Sequence, residues 1–300
     1  MTLADRLLLV LAAPEAPSAA AALAAASAFG AAVHAQGRAV REMDAVAGAF
    51  VGVAVATLLF AAAAPFVVTV EALRSEATLW FALCGLFMPA LSMILAIRSV
   101  GIVGPALTAA RASSTPLFAV TLAVAALGEP FGPQVAAGVA LTVAGLALAP
   151  FVRGAAAPRV PAWTLLLPLG ASALRGIAQP VAKIGLSIQP SPLQAALVTF
   201  AVSTVVLALA AGPRRLRAAL RPSRGLAWFA AAGAMNGAGL LLLNLALATG
   251  DVVIAAPLGA TAPLWALVWG ALVFGGERIT LRHLGLAALV VAGSVLVVTR

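Results

Sequence analysis

Acidic side chains are scarce in this chain. Nine Asp and Glu stand among 300 residues, and none falls in the middle of a long apolar run. That scarcity excludes a membrane-embedded site built on clustered carboxylates. Cysteine occurs once, at Cys84, so no internal disulfide can form, and the residue reads as a small packing group inside an apolar span. Two histidines and one cysteine, far apart, offer no metal-ligand cluster, and no cofactor is expected. Charge of either sign is thin: 9% of residues, against about 25% in soluble domains. Such a chain cannot cover itself with a water-compatible surface.

What is present is apolar. Hydrophobic residues make up 63% of the sequence and the mean hydropathy is +1.12, which makes this an integral membrane protein in contact with a lipid bilayer. A spanning helix takes roughly 20 residues, so ten spans would occupy about 200 and leave about 100 for loops and ends. The alternating apolar and polar pattern of a membrane barrel is missing. The net charge of +9 is almost all arginine, with Lys183 the single lysine. In a soluble protein that balance would suggest nucleic acid. Here no nucleic-acid partner is expected, because most of the arginines fall in short loops where they set orientation and meet lipid headgroups.

The apolar runs predict helices over 17–37, 46–70, 77–97, 102–127 and 132–152, then 162–186, 191–211, 225–248, 252–274 and 280–299. Pro150 to Pro161 is the linker, so the domains are an N-terminal extension 1–16, a first half 17–152 and a second half 162–299. The apolar run 3–13 is too short to span; it is an interfacial or frayed extension, or the core of a signal peptide. Trp80, Trp163 and Trp228 near span starts suit the headgroup level. The basic cluster Arg214, Arg215, Arg217, Arg221 and Arg224 predicts a cytoplasmic loop, which places both termini outside.

The two halves repeat one another. Gly128-Glu129 and Val143-Ala144-Gly145 recur as Gly276-Glu277 and Val291-Ala292-Gly293, offset by 148 in each case (277 − 129 and 291 − 143). Upstream, Ser114-Thr115-Pro116-Leu117-Phe118 matches Thr261-Ala262-Pro263-Leu264-Trp265. A period this long means two copies of a membrane module. With five helices per half, the second copy inserts upside down relative to the first. The expected fold is all-α and integral to the membrane, about ten transmembrane helices as two inverted five-helix repeats.

This pattern resembles the drug/metabolite transporter superfamily, in particular its ten-helix EamA-type permeases. The residues that carry the resemblance are Pro116, Gly128, Glu129 and Gly145, and again Pro263, Gly276, Glu277 and Gly293. It covers nearly the whole chain after residue 16. The resemblance implies a secondary carrier for small metabolites or drugs, working without ATP hydrolysis, with a central cavity between the halves. Members are drawn with both termini cytoplasmic, opposite to the arginine count above.

Arg111, in the fourth span beside Ser113-Ser114-Thr115-Pro116, is the sharpest single position. A charge at a helix centre costs about 2.5–3.5 kcal/mol on insertion scales, so it faces a partner or a wet cavity. It binds an anion through its planar fork, or it snorkels and bonds loose carbonyls. Arg175, Gln179 and Lys183 recur every four residues on one face of the sixth span. Arg175 is the better ligand of the two cations, and Lys183 sits at the span's end. Asn236 and Asn244 share a face of the eighth span and either bind substrate or cross-link helices. Trp265 and Trp269 wall the cavity or pack; His34 reads as a helix-end polar group. The expected substrate-binding set is Arg111, Arg175, Ser114, Gln179, Asn236, Asn244 and Trp265. Pro116, Pro263, Glu129 and Glu277 are structural or gating, each glutamate capping the helix that follows it.

These readings favour a secondary transporter, an exporter of an amino-acid-like or organic-anion metabolite, over an enzyme. Within the same superfamily the alternative is a multidrug or cation exporter, which calls for a buried carboxylate and many aromatics; aromatics are 6% and tyrosine is absent. A non-transporting membrane protein is the third reading. One chain already holds both halves, so a monomer suffices and a homodimer is optional. The expected location is the cell membrane, multi-pass, which is the inner membrane in a Gram-negative bacterium.

Overall fold

The computed structural model describes residues 15–152, 161–274 and 281–299. The extension before residue 15, the linker residues 153–160 and Gly276-Glu277 lie outside the described residues. The described elements are helical throughout. The first half contains α1 (Ala16–Ala39), α2 (Ala45–Ala63), α3 (Ala77–Gly85), α4 (Ser92–Val103), α5 (Pro105–Ala112), α6 (Thr115–Leu127) and α7 (Pro133–Val152). The second contains α8 (Leu166–Ile188), α9 (Pro192–Ala219), α10 (Arg224–Thr249), α11 (Val252–Gly259), α12 (Ala262–Leu272) and α13 (Leu281–Val298). A π turn over Leu86–Leu91, with Pro89 inside it, joins α3 to α4 as one span.

Eight helical stretches are long and apolar enough to cross a membrane, and Pro133–Leu148 and Leu284–Val298 are shorter apolar helices. The chain is an all-α, multi-pass membrane protein. Leu58, Leu79, Leu209 and Leu272 are strongly exposed on the outside of the bundle, as side chains that meet acyl tails rather than water should be.

The packing shows the inverted repeat. Helix α1 lies against α10 and α12 of the other half, and its counterpart α8 lies against α3, α4 and α6. The helices that pair with their own counterparts are α2 with α9 and α7 with α13. Glycine permits the closest crossings. A Cβ on Gly138 would stand 2.6 Å from the Gly293 carbonyl, and a Cβ on Gly293 would stand 2.6 Å from the Gly138 carbonyl. Likewise a Cβ on Gly30 would press on Ala266 of α12, and one on Gly176 would press on Thr115 of α6.

Three expected spans are corrected. The fourth and ninth are not single helices: α5 ends at Ala112 and α6 begins at Thr115, while α11 ends at Gly259 and α12 begins at Ala262. Both breaks fall just before the repeated proline. Pro116 and Pro263 occupy the first turn of the second piece, where a missing N–H removes no helix bond. The fourth span also starts later than expected, at Pro105 rather than 102, because Gly104 turns the chain at φ +83°. The second helix ends at Ala63, short of residue 70, and passes into a 3-10 turn at Pro65.

Viewed along the bundle, one end carries the start of α1, the loop with Glu129 and the α10–α11 turn. We call it the terminal end. The other carries Arg38, Arg41 and the Arg214–Arg224 loop, and is called the arginine end.

Candidate functional site

At each break hydroxyl side chains bond back to carbonyls of the turn before it, beside the remaining backbone bonds. Ser113, Ser114 and Thr115 donate in turn to the carbonyls of Ala110 (2.6 Å), Arg111 (2.7 Å) and Ala112 (2.8 Å). At the matching place in the second half Thr261 donates to Leu258 at 2.7 Å. The first break is also tied to α8, where Ser172 donates to the Arg111 carbonyl at 3.0 Å. Ser172 lies three residues before Arg175, on the same side of the helix. Arg111 and Arg175 therefore belong to neighbouring backbones at similar depth. Arg111 is exposed and Arg175 half-buried, and the side chain of neither makes a hydrogen bond or ion pair among the described residues.

Arg175, Gln179 and Lys183 form a ladder up one face of α8, and each rung meets something different. Gln179 is buried and its side-chain amide makes no hydrogen bond among the described residues. Facing it, the Asn244 amide of α10 is buried and likewise makes none. Both line one cavity with Cys84, Met88, Thr199 and Leu240. The Cys84 thiol is spent on the Ala178 carbonyl (3.2 Å) and the Thr199 hydroxyl on that of Phe81 (3.2 Å). Lys183 does not snorkel. Its Nζ donates to the carbonyls of Leu247 and Gly250, each at 2.8 Å, at the C-terminal end of α10.

Glu129 caps a helix, though not the one that follows it. Gly128 ends α6 in the left-handed region (φ +67°) and turns the chain inward. The carboxylate then accepts from the backbone N–H groups of Val252 and Val253, each at 2.9 Å, at the start of α11 in the opposite half. Glu129 and Lys183 thus grip the two sides of the α10–α11 turn. Burial pushes the Glu129 carboxyl above its ordinary range and Asp251 adds to this, while the two N–H groups and Lys183 pull it back.

The remaining expected residues are more locally engaged. Asn236 is half-buried and donates to Ala232 of its own helix at 2.9 Å. Trp265 is half-buried beside Gly30 of α1. Trp269 donates to the Ser27 carbonyl at 3.1 Å. His34 bonds the Ala266 carbonyl at 2.7 Å and stacks on Phe274, whose ring also lies 4.6 Å from the Arg38 guanidinium.

Both halves carry the signature of one known module. The EamA-like transporter family matches over residues 17–150 and again over 162–299. This chain belongs to the EamA-like transporter family. A solved crystal structure superposes on this EamA-like chain with a TM-score of 0.74 at 17% identity, covering 93% of this chain and 94% of the other. At that identity the likeness speaks for the fold alone. Among curated proteins, no sequence matches. The EamA-like family is made up of transporters, so the chain is a membrane transporter of the drug/metabolite superfamily.

Proposed function

We propose that this EamA-like chain is a secondary active transporter that exports a small organic anion or amino-acid-like metabolite by alternating access across the cell membrane. The observation that carries the reading is the pair Arg111 and Arg175. Among the described residues, two guanidiniums without hydrogen-bond or ion-pair partners stand on adjoining backbones at a broken membrane helix, and no acidic residue lies mid-span. A free arginine fork suits a carboxylate or phosphate. Broken helices at the interface of inverted repeats are where carriers of this architecture bind their cargo. The rocking element is the pair of halves, and the Glu129 grip ties them together at the terminal end. The arginine end faces the cytoplasm in this reading. One chain supplies both halves, so the monomer is the working unit.

The test is thermal unfolding of the purified protein against carboxylates, sugar phosphates, amino acids and organic cations, beside an Arg111→Gln/Arg175→Gln variant. A ligand at 100 times its Kd stabilises by about 2.7 kcal/mol. Stabilisation by anions that the variant loses supports the proposal. Stabilisation by lipophilic cations alone, unchanged in the variant, overturns it in favour of a cation exporter.

A further inference from the structure

Helix α9 is longer than the membrane needs. Its apolar part, Pro192 to Ala211, covers about 30 Å at a helical rise of about 1.5 Å per residue, a full hydrocarbon thickness. Gly212 then adopts φ +74° and ψ 162°, with Pro213 directly after it. A Cβ on Gly212 would meet nothing within 4 Å, so this glycine serves the left-handed turn and not a close crossing. Beyond the elbow a short helical piece runs to Ala219, and the chain re-enters the bundle in α10 at Arg224. The piece therefore lies where acyl tails give way to headgroups.

The elbow has three sides. Ala219 is buried with Ala39, Ala47, Val51 and Phe229, which fixes the piece to α1, α2 and α10. Leu220 is 59% exposed, and Leu216 lies half-buried one turn before it. Arg214 and Arg217 share a further face, Arg221 continues it one turn on, and Arg224 opens α10; all four are exposed. Among the described residues none of the four makes an ion pair, while Arg215 reaches Asp44 at 3.9 Å. That aspartate is shared, since it also accepts from the Ala47 N–H at 2.9 Å to cap α2. Arg224 stands in the first turn of a helix, the unfavourable end for a cation, and an anion beside it relieves the conflict. An apolar stripe beside a cationic one, at headgroup depth, is how a helix anchors in the bilayer surface.

We propose that the Gly212–Arg224 elbow is a binding site for anionic phospholipid, whose phosphate meets the exposed arginines while its acyl chains cover Leu216 and Leu220. The guanidinium fork matches phosphate oxygens. A zwitterionic headgroup brings its own cation, which offsets much of that attraction. A free phosphate or a nucleic acid supplies the charge and leaves the leucines bare. The elbow belongs to α9 and α10 and shares no residue with the Arg111–Arg175 pair, so it goes beyond the transport reading and is tested without any substrate.

The test is thermal unfolding of the full-length protein in neutral detergent. Dioleoylphosphatidylglycerol, dioleoylphosphatidylcholine and free glycerol phosphate are each titrated in. An arginine near an anionic surface contributes about fivefold in affinity. Phosphatidylglycerol should therefore act at a concentration at least about tenfold lower than phosphatidylcholine, with glycerol phosphate weaker than either. Arg214→Gln/Arg217→Gln/Arg221→Gln should abolish that preference, and the single exposed substitution Arg217→Gln should reduce it about fivefold. Leu220→Ser should weaken phosphatidylglycerol and leave glycerol phosphate unchanged. The preference should persist in Arg111→Gln/Arg175→Gln. Equal action of the two lipids on the wild type overturns the proposal without any variant having to fold. So does a preference that survives the triple substitution, or one lost in Arg111→Gln/Arg175→Gln. Glycerol phosphate acting as strongly as phosphatidylglycerol overturns it in favour of a soluble anion.

Discussion

The two ends of the bundle come from the same duplicated module, yet the described residues fasten them differently. At the terminal end, the α10–α11 turn is held by Glu129 on the N–H groups of Val252 and Val253 and by Lys183 on two α10 carbonyls. At the arginine end the equivalent turn is α4–α5. Thr115 and Ala262 open matching half-helices 147 residues apart (262 − 115), which sets Pro105 against Val252. Proline has no N–H, so a carboxylate there would find one donor fewer. Gly30 and Gly176 are matched at 146 residues (176 − 30), which sets Gly37 against Lys183. The lysine anchor has no counterpart. In its place Arg38 lies over Trp228 at 5.0 Å and Phe274 at 4.6 Å, and His34 stacks on Phe274. Hydrogen bonds to a charged group contribute about 1.5–3 kcal/mol each, and cation–π contacts about 0.5–2 kcal/mol. Among the described residues, then, the glutamate and lysine grip is seen at the terminal end and the ring and arginine stack at the arginine end.

Removing Glu129 breaks the comparison most severely. Glu129→Ala leaves two helix-start N–H groups without their carboxylate and should lower stability by about 2–4 kcal/mol. Amide exchange at Val252 and Val253 should rise with it, which a remote packing defect would not produce. Lys183→Met comes next, at about 1–3 kcal/mol, because it leaves two carbonyls to find other partners. Its signature is faster exchange near Gly250 with the Val252 amide still protected.

The acid–base behaviour of the latch gives a third handle. Burial holds the Glu129 carboxyl above its ordinary range, so the folded protein keeps that proton more tightly than the unfolded chain. Its contribution is therefore full below the ordinary carboxylate range and declines as pH rises through the folded value. Glu129→Gln should flatten that slope in a denaturation series across acidic pH. Lys183 and Asp251 face the same carboxyl, so Lys183→Met should shift the slope to higher pH. The smallest effect is a gain. Pro105→Ala restores a backbone N–H at the arginine end and should change stability by only about 0.5 kcal/mol, because proline suits the first helical turn. A gain well above that would show that the restored N–H finds a strong acceptor at this end.

Much of the fold was legible in the sequence, and the reason is physical. Ten apolar runs near the bilayer's thickness and a 148-residue offset require a duplicated bundle, and an odd helix count inverts the second copy. The helix breaks were not legible, because small hydroxyl residues bonded to the preceding turn bridge them without interrupting the apolar pattern. Ser113-Ser114-Thr115 before Pro116 was the available signal, and its meaning emerges only when each hydroxyl is seen on the carbonyl three residues back. The four-residue ladder on α8 correctly marked one face, yet spacing alone could not tell that Arg175 is free, Gln179 enclosed and Lys183 anchored. Glu129 was read as a cap for its neighbour because local rules favour local partners. Its true partners are 123 and 124 residues away, a distance no single-sequence pattern reaches.

The measurement that tests the account most directly is counterflow in proteoliposomes. Vesicles loaded with an unlabelled short-chain carboxylate are diluted into medium containing a trace of the labelled compound. The account predicts transient, saturable accumulation of label that needs no ATP and disappears in Arg111→Gln/Arg175→Gln protein reconstituted to the same level. Accumulation undiminished by that variant, or a flux that rises linearly with concentration and never saturates, would contradict an arginine-lined, alternating-access anion carrier.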